Sequence, residues 1–197
     1  MAIFIKTFIF SIFLILLSFF SLSAKNGKKI LMIIAHQNFR DEELLVPKKI
    51  FEKEGYQVII ASSSLKPAKG MLGAVVTPNI LINQAKVDEY EAIVFVGGVG
   101  AQEYFHDATA HKIAKEAISK GKILAAICLA PRTLAEAGVL KGKKATVWSS
   151  EGKALEAKGA IYTGKNVEID GKIVTGSGPQ AAEEFAKSIL NLLKVQK

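Results

Sequence analysis

The only cysteine of the chain, Cys128, closes the apolar run "ILAAIC" and precedes a predicted helix. A buried cysteine usually serves as a small hydrophobic residue. At a tight strand-to-helix turn, however, the thiol is thrust into the open, and the positive end of the helix dipole favours the thiolate. The position therefore leaves two interpretations open, a reactive nucleophile and a core residue.

Two further segments follow predicted strands and could act on a thiol at this position. The segment "GGVG" at 97–100 lacks the spacing of a P-loop or a dinucleotide fingerprint. Its amides at Gly98 and Val99 could instead stabilise an oxyanion that develops beside the cysteine. In "FRDEEL" at 39–44, acids at a helix start normally serve as dipole partners. An acid that turned inward would be desolvated, which raises its pKa and lets it share a proton with a thiolate.

The three histidines of the chain are His36, His106 and His111. His36 follows the first predicted strand and is the only one placed to approach a site at the sheet edge. The other two are predicted to be surface or capping residues. Because these histidines and the cysteine lack metal-ligand spacing, we predict no metal and no cofactor.

The elements that must position these groups alternate along the chain. Buried strands are predicted at 30–35, 56–63, 92–98 and 123–128, and helices at 42–55, 108–121, 130–138 and 179–194. Strands without polar alternation, each followed by a helix, are typical of a parallel sheet covered on both faces. A hairpin is predicted at 167–176 with Asp170-Gly171 as its turn. We therefore predict one doubly wound α/β domain over 28–194, with chemistry at the carboxyl ends of its strands.

The first 24 residues differ in kind from the rest of the chain. Lys6 is their only charged residue, an apolar run extends from Phe8 to Leu22, and small residues close the segment before "KNGKK". This order predicts a signal peptide over 1–24 and an exported, periplasmic or secreted protein. The apolar run is also long enough for an uncleaved membrane anchor at 7–24, which is the alternative.

Composition excludes several classes of function. The chain has a net charge of +8, from 26 Lys and Arg against 18 Asp and Glu, but its lysines are spread along the sequence. Without a basic stripe flanked by aromatic residues, we predict a solvated surface and no nucleic-acid partner. A single cysteine cannot form an internal disulfide, so the chain is not a disulfide scaffold.

Four segments, in order, resemble the ThiJ/PfpI superfamily, which includes the Parkinsonism-associated deglycase and the PfpI-type peptidases. The segments are "FRDEELLVP", "VFVGGVGAQEYFHD", "AAICLAPRTLAEAGVLKGKKAT" and "VTGSGPQAAEEFA". The resemblance covers residues 28–194 and implies a flavodoxin-like three-layer sandwich with a mostly parallel sheet and a nucleophile elbow. It also implies a homodimer.

The resemblance assigns roles to individual residues. It implies that Cys128 is the nucleophile and that protonated Glu43, the acid four residues before a proline, holds its thiolate. The amides near Gly98 and Leu129 would then form the oxyanion pocket.

The chain also departs from the family pattern at the site. Leu129 stands where PfpI-type peptidases carry histidine, and Trp148 stands where the deglycase branch keeps one. Ser177 replaces the usual arginine before Gly-Pro, and Ala130 replaces a glycine. Leucine cannot accept or orient a proton, which disfavours a Cys-His peptidase. His36, Trp148 and Ser177 are predicted to line the site.

Two functions remain, and both use the cysteine. The first is cofactor-free glyoxalase or deglycase chemistry on small carbonyl compounds, in which Cys128 attacks an aldehyde and Glu43 moves a proton. The alternative is a non-enzymatic redox-sensing or stress-protective protein, in which an oxidant converts Cys128 to the sulfinic acid. A peptidase is the third and least favoured hypothesis.

Overall fold

The computed structural model describes residues 28–195, in which strands and helices alternate. The strands are β1 (Lys29–Ile33), β2 (Gln37–Phe39), β3 (Gln57–Ser62), β4 (Ala68–Gly70), β5 (Val75–Val76), β6 (Ile80–Leu81), β7 (Ala92–Phe95), β8 (Ile123–Ile127), β9 (Lys144–Ala145), β10 (Ile161–Tyr162), β11 (Val167–Asp170) and β12 (Ile173–Gly176). The helices are α1 (Asp41–Lys53), α2 (Ala108–Ser119), α3 (Pro131–Glu136), α4 (Gly152–Ala157) and α5 (Ala182–Val195). Short 3-10 turns include Val99–Tyr104, Ser149–Glu151 and Pro179–Ala181.

Seven of these strands form the central sheet, in the order β11-β12-β8-β7-β1-β3-β6. Every neighbouring pair is parallel except β11 and β12, which form the antiparallel edge. Two small sheets, β2-β4-β5 and β9-β10, lie outside it. Since parallel strands share one direction, β1, β7, β8 and β12 all end at the same edge of the sheet.

Both faces of the sheet are buried, which is why its strands are apolar throughout. Leu31 and Ile33 of β1 pack in the hydrophobic cluster that includes α2 and α3. Ile30 and Met32 point to the opposite face, in the cluster that includes α1 and α5. All four side chains are fully buried. The predicted fold class, a doubly wound three-layer α/β sandwich with a mostly parallel sheet, is confirmed.

The hairpin at 167–176 forms as predicted, but its turn lies one residue further along. Asp170 pairs with Ile173, so the loop consists of Gly171 and Lys172. Gly171 takes the left-handed conformation, with φ +62°, that the first loop position requires. The Asp170 carboxylate is used elsewhere, because it accepts hydrogen bonds from the Lys144 amide at 3.0 Å and the Lys143 ammonium at 3.1 Å.

The predicted leader, whether signal peptide at 1–24 or anchor at 7–24, lies outside the described residues. Within residues 28–195, no helix is long and apolar enough to cross a membrane.

The β4–β5 hairpin is tied to the start of α1 by one buried acid. The Asp41 carboxylate accepts hydrogen bonds from the Leu72 amide at 2.8 Å and the Ala74 amide at 2.7 Å. Asp41 is 5% exposed, and Gly70 lies so close that a Cβ there would meet the carboxylate at 2.5 Å. The contact holds the loop that carries Met71 against the first turn of α1.

Asp41→Ala is therefore expected to lower the free energy of unfolding by roughly 2–3 kcal/mol, because two backbone amides lose their acceptor. Urea denaturation followed by circular dichroism measures this change. The control is Glu42→Ala, whose neighbouring carboxylate is 38% exposed and pairs with Arg40 on the surface. That variant should lose less than about 1 kcal/mol. Equal stability of Asp41→Ala and wild type would contradict the anchoring role.

Candidate active site

A backbone contact joins the residue between β2 and α1 to the segment after β7, and it brings α1 to the sheet edge. The Arg40 amide donates a hydrogen bond to the Gly97 carbonyl at 3.0 Å, just before α1 begins. Gly98 makes this contact possible, since it adopts φ +95° and packs against the backbone of Asn38 and Arg40, where a Cβ would clash. The first turn of α1 is thereby held beside the residue that follows β8.

That residue is Cys128, and its backbone is strained. Its φ of +62° is left-handed, a conformation that non-glycine residues rarely adopt. The strain is held by two hydrogen bonds: the Cys128 amide donates to the Gly176 carbonyl at 2.9 Å, and its carbonyl accepts from the Trp148 amide at 2.8 Å. The strand therefore turns sharply at Cys128 before α3, as in a nucleophile elbow.

Glu43 approaches this cysteine across Gly97. A Cβ built on Gly97 would lie 2.5 Å from both the Cys128 Cβ and the Glu43 Oε2. Any side chain at position 97 would therefore clash with both groups and force the acid and the thiol apart. Position 97 must be glycine because Glu43 and Cys128 both lie against its Cα. The Gly-Gly pattern alone did not reveal this requirement.

Pro47 removes one backbone hydrogen bond from the helix that carries Glu43. Pro47 lies inside α1 and has no N–H, so the Glu43 carbonyl lacks the usual partner four residues later. The Arg40 carbonyl accepts hydrogen bonds from both the Glu43 amide at 3.2 Å and the Leu44 amide at 3.3 Å, so the first turn of α1 is closed by bonds that do not involve the proline. Pro47 therefore removes one hydrogen bond from the helix and leaves its first turn intact.

Burial determines the protonation state of Glu43. The side chain is completely inaccessible to solvent, and within residues 28–195 neither carboxyl oxygen has a conventional hydrogen-bond partner. Burial raises the pKa of Glu43 to about 8, although the Cys128 thiol, the positive charge of Arg40 and the Gly97 amide act in the opposite direction. Glu43 therefore carries its proton at neutral pH.

The ionisation of Cys128 differs from the sequence expectation of a thiolate. Burial and the negative charge of Glu43 raise the pKa of the Cys128 thiol to about 12. The Gly98 and Leu129 amides, which face the sulfur, lower it by less. The helix behind the elbow is short, with only six residues, so its dipole contributes little. Desolvation outweighs the local dipoles, and the thiol and carboxyl ionise as a coupled pair.

Cys128 opens into a cavity of about 360 Å³ at the carboxyl edge of the sheet. Gly98, Val99, Leu129 and Trp148, all predicted site residues, contribute to its wall. The remaining lining residues are Arg40, Met71, Gln102, Ser150, Glu151 and Pro179. Gly98 and Leu129 direct amides at the sulfur, whereas Val99 adds its side chain to the rim, 48% exposed.

Two predicted lining residues lie outside this wall. His36 is partly buried, its amide donates to Glu103 at 3.4 Å, and it is not among the residues that line the cavity. The Ser177 hydroxyl accepts from the Gln180 amide nitrogen at 3.3 Å and is likewise absent from the lining. Across the described part of the chain, no group of three or more His, Cys, Asp or Glu side chains could hold a metal ion.

Several residues of the wall had no sequence signal. Arg40 stands next to the acid motif, and its guanidinium binds Glu42 with contacts of 2.8 and 3.0 Å. Met71 lies in the irregular stretch between β3 and β7. It is brought to the cavity by the Asp41 contacts, by the pairing of β4 with β2, and by its own amide, which donates to the Phe39 carbonyl at 2.9 Å. Glu151 is placed by Arg132, whose guanidinium lies 2.7 Å from it. The positions of Met71 and Glu151 depend on contacts between distant segments, which no local pattern encodes.

Comparison with known proteins assigns the family. Residues 28–192 match the model of the DJ-1/PfpI family, and the chain belongs to that family. The uncharacterised protein MJ0967 of Methanocaldococcus jannaschii is 42% identical over 173 residues, covering 86% of this chain and 84% of the relative. A protein of Pyrococcus furiosus named deglycase PfpI is 31% identical, covering 84% of this chain and 99% of its own length.

A more distant relative and a crystal structure extend the match. The protein of Caenorhabditis elegans named glutathione-independent glyoxalase DJR-1.2 is 26% identical, covering 85% of this chain and 89% of its own. The crystal structure of a ThiJ/PfpI domain protein from Brachyspira murdochii superposes with a TM-score of 0.83 at 32% identity. It covers 86% of this chain and 99% of that one. The predicted superfamily resemblance is confirmed.

The buried carboxyl makes stability depend on pH in a defined direction. Between its ordinary value of 4.5 and about 8, Glu43 is ionised in the unfolded chain and protonated in the folded one. The folded state then binds more protons, so the contribution of Glu43 to stability falls as pH rises through this window and is constant above about pH 8. Glu43→Gln abolishes this contribution. The free energy of unfolding of wild type should therefore fall relative to that of Glu43→Gln as pH rises from 4.5 to 8. The expected change in the difference between the two proteins is on the order of 3–5 kcal/mol.

Urea denaturation at a series of pH values measures the difference between the two proteins. Glu42→Gln is the matched control, since its partly exposed carboxylate pairs with Arg40 and it should keep the wild-type slope. A Glu43→Gln slope identical to wild type would show that Glu43 is ionised in the folded protein at neutral pH.

Proposed function

We propose that this protein converts 2-oxoaldehydes to 2-hydroxy acids without a cofactor, with Cys128 as nucleophile and Glu43 as proton carrier. The observation that carries the proposal is the pairing of a strained elbow cysteine with a fully buried carboxyl across Gly97. Membership of the DJ-1/PfpI family, and the deglycase and glyoxalase names of its relatives, support the same class of chemistry.

The first step forms a carbon–sulfur bond. In the molecules whose Glu43 is ionised, a minority below its pKa of about 8, the carboxylate takes the thiol proton as the Cys128 sulfur attacks the aldehyde carbon. The electron pair of the carbonyl moves to oxygen, and the amides of Gly98 and Leu129 that face the sulfur stabilise the negative charge. The oxygen then receives the proton from Glu43, which leaves a hemithioacetal and a free carboxylate.

The second step moves hydrogen between adjacent carbons. Glu43 takes the proton from the carbon bonded to sulfur, and the electrons pass to the neighbouring carbonyl to give an enediolate. Glu43 returns the proton to the second carbon, and a proton shift between the two oxygens yields a thioester. The aldehyde carbon is oxidised and the ketone carbon is reduced, so the balance needs no external oxidant.

The last step adds water to the thioester. The carbon–sulfur bond breaks, the hydroxy acid leaves, and the proton from water restores the Cys128 thiol. A raised pKa suits Glu43 for these transfers, because a carboxyl that titrates near 8 can both accept and donate a proton near neutral pH.

The redox alternative uses the same geometry. The amides of Gly98 and Leu129 and the protonated Glu43 could equally hydrogen-bond a sulfinate on Cys128. In favour of this alternative, none of the three histidines lines the cavity, so no imidazole is available there to activate the thiol. The same fact argues against a Cys-His peptidase.

Cys128→Ser is expected to abolish consumption of methylglyoxal, because a serine hydroxyl without a strong base is a far weaker nucleophile than a thiolate. The wild type should form lactate with many turnovers per protein and no added metal or cofactor. Disappearance of the oxoaldehyde, with lactate identified by NMR, measures this activity.

Ser119→Ala, at the exposed end of α2, is the control and should retain full turnover. Wild-type activity no greater than that of Cys128→Ser would contradict the proposal. Mass spectrometry after mild peroxide treatment would then test the alternative, since a gain of two oxygens on Cys128 in folded protein supports the redox function.

A further inference from the structure

Trp148 is held rigidly beside the cysteine. Its amide donates to the Cys128 carbonyl, as described above, which fixes its backbone. One edge of the indole packs directly on Gly178, where a Cβ would lie 2.9 Å from both Cε3 and Cζ3. The ring therefore cannot move towards the last 3-10 turn, and its position in the cavity wall is set in advance of binding.

The rest of this ring is open to solvent in the cavity. Trp148 is 41% exposed, and two further large apolar side chains of the same wall, Met71 and Val99, are 39% and 48% exposed. Three large apolar side chains around one opening are thus left in contact with water, and the fold forgoes the stabilisation that their burial would give. Such a clustered exposure is typical of a binding surface.

The charged side chains of this wall are already paired. Within the described residues, Arg40 binds Glu42 and Glu151 binds Arg132. Leu129, which also lines the cavity, has a side chain that can neither donate nor accept a proton. The wall therefore offers a bound molecule apolar side chains and no unpaired charge.

The size of the cavity points in the same direction. A volume of about 360 Å³ falls in the range of about 300–1,000 Å³ that is usual for drug-sized ligands. The smallest 2-oxoaldehydes would leave most of this space and the Trp148 ring in contact with water. An aryl group would fill it and stack on the indole.

We propose that Trp148 is a specificity-determining residue that selects 2-oxoaldehydes bearing an aryl group, with phenylglyoxal as the representative substrate. The carbonyl carbons react at Cys128 while the aryl ring packs on Trp148, with Met71 and Val99 closing the rim. This inference rests on the proposed function for its reaction, but the binding preference exists without turnover.

The kinetic test compares phenylglyoxal with methylglyoxal. Wild type is expected to show a kcat/KM at least about ten-fold higher for phenylglyoxal, and Trp148→Ala should lose about ten-fold for it and less than two-fold for methylglyoxal. Trp148→Phe, which keeps an aromatic face, should retain most of the wild-type preference in kcat/KM for phenylglyoxal over methylglyoxal. Ile169→Ala is the control, since Ile169 is 43% exposed on the edge strand β11 and does not line the cavity.

The binding test uses Trp148 itself, because it is the only tryptophan in the chain. Titration of the Cys128→Ser protein with mandelate, the product from phenylglyoxal, should quench tryptophan fluorescence with a Kd at least about ten-fold lower than that for lactate. Ile169→Ala in the same background should bind both acids as its parent does.

The two tests separate the inference from the proposed function. Tighter binding of mandelate than of lactate, without turnover of either oxoaldehyde, would contradict the proposed function and support the inference. Turnover of both substrates with equal kcat/KM, unchanged in ratio by Trp148→Ala, would overturn the inference and leave the proposed function standing. Equal quenching by mandelate and lactate, or none by either, would also overturn it.

Discussion

The close approach of the Glu43 carboxyl to Cys128 across Gly97 is the constraint on which the rest of the site depends. It requires a glycine at position 97, a left-handed cysteine and a first helical turn drawn to the sheet edge by the Arg40–Gly97 hydrogen bond. Strain at Cys128 and burial of Glu43 both cost free energy, which the apolar core on the two faces of the sheet offsets.

This arrangement explains why the thiol and the carboxyl must be considered together. Each group is desolvated, and the negative charge of Glu43 further disfavours ionisation of the Cys128 thiol. The pair therefore keeps both protons at neutral pH and releases the first near the raised pKa of Glu43. A nucleophile of this kind is activated during attack by its neighbour, and it does not exist beforehand as a free thiolate.

Much of the architecture was predictable from local patterns. Apolar strands without alternation are buried on both faces wherever they occur, so the parallel sheet and the elbow at Cys128 followed from the sequence. Glu43 was singled out by the family pattern, in which an acid stands four residues before a proline, here Pro47. The helix and strand ends differed from the predicted ends by only a few residues.

The remaining parts depended on contacts between segments far apart in the chain. Met71 reaches the cavity because β4 pairs with β2, the Met71 amide donates to the Phe39 carbonyl, and Asp41 binds the amides of the β4–β5 hairpin. His36 and Ser177 follow strands whose ends meet at the site, yet their side chains lie outside the cavity wall, since position at a strand end does not determine side-chain direction. The ionisation of Cys128 also differed from expectation, because the depth of burial cannot be read from spacing.

The coupling between Cys128 and Glu43 is tested most directly by titrating the thiol through the ultraviolet absorbance of the thiolate, in wild type and in Glu43→Gln. The glutamine carries no negative charge at any pH, so the contribution of Glu43 that raises the pKa of Cys128 is lost. The thiolate is therefore expected to appear at a lower pH in Glu43→Gln than in wild type. An unchanged or higher thiol pKa in the variant would contradict the account.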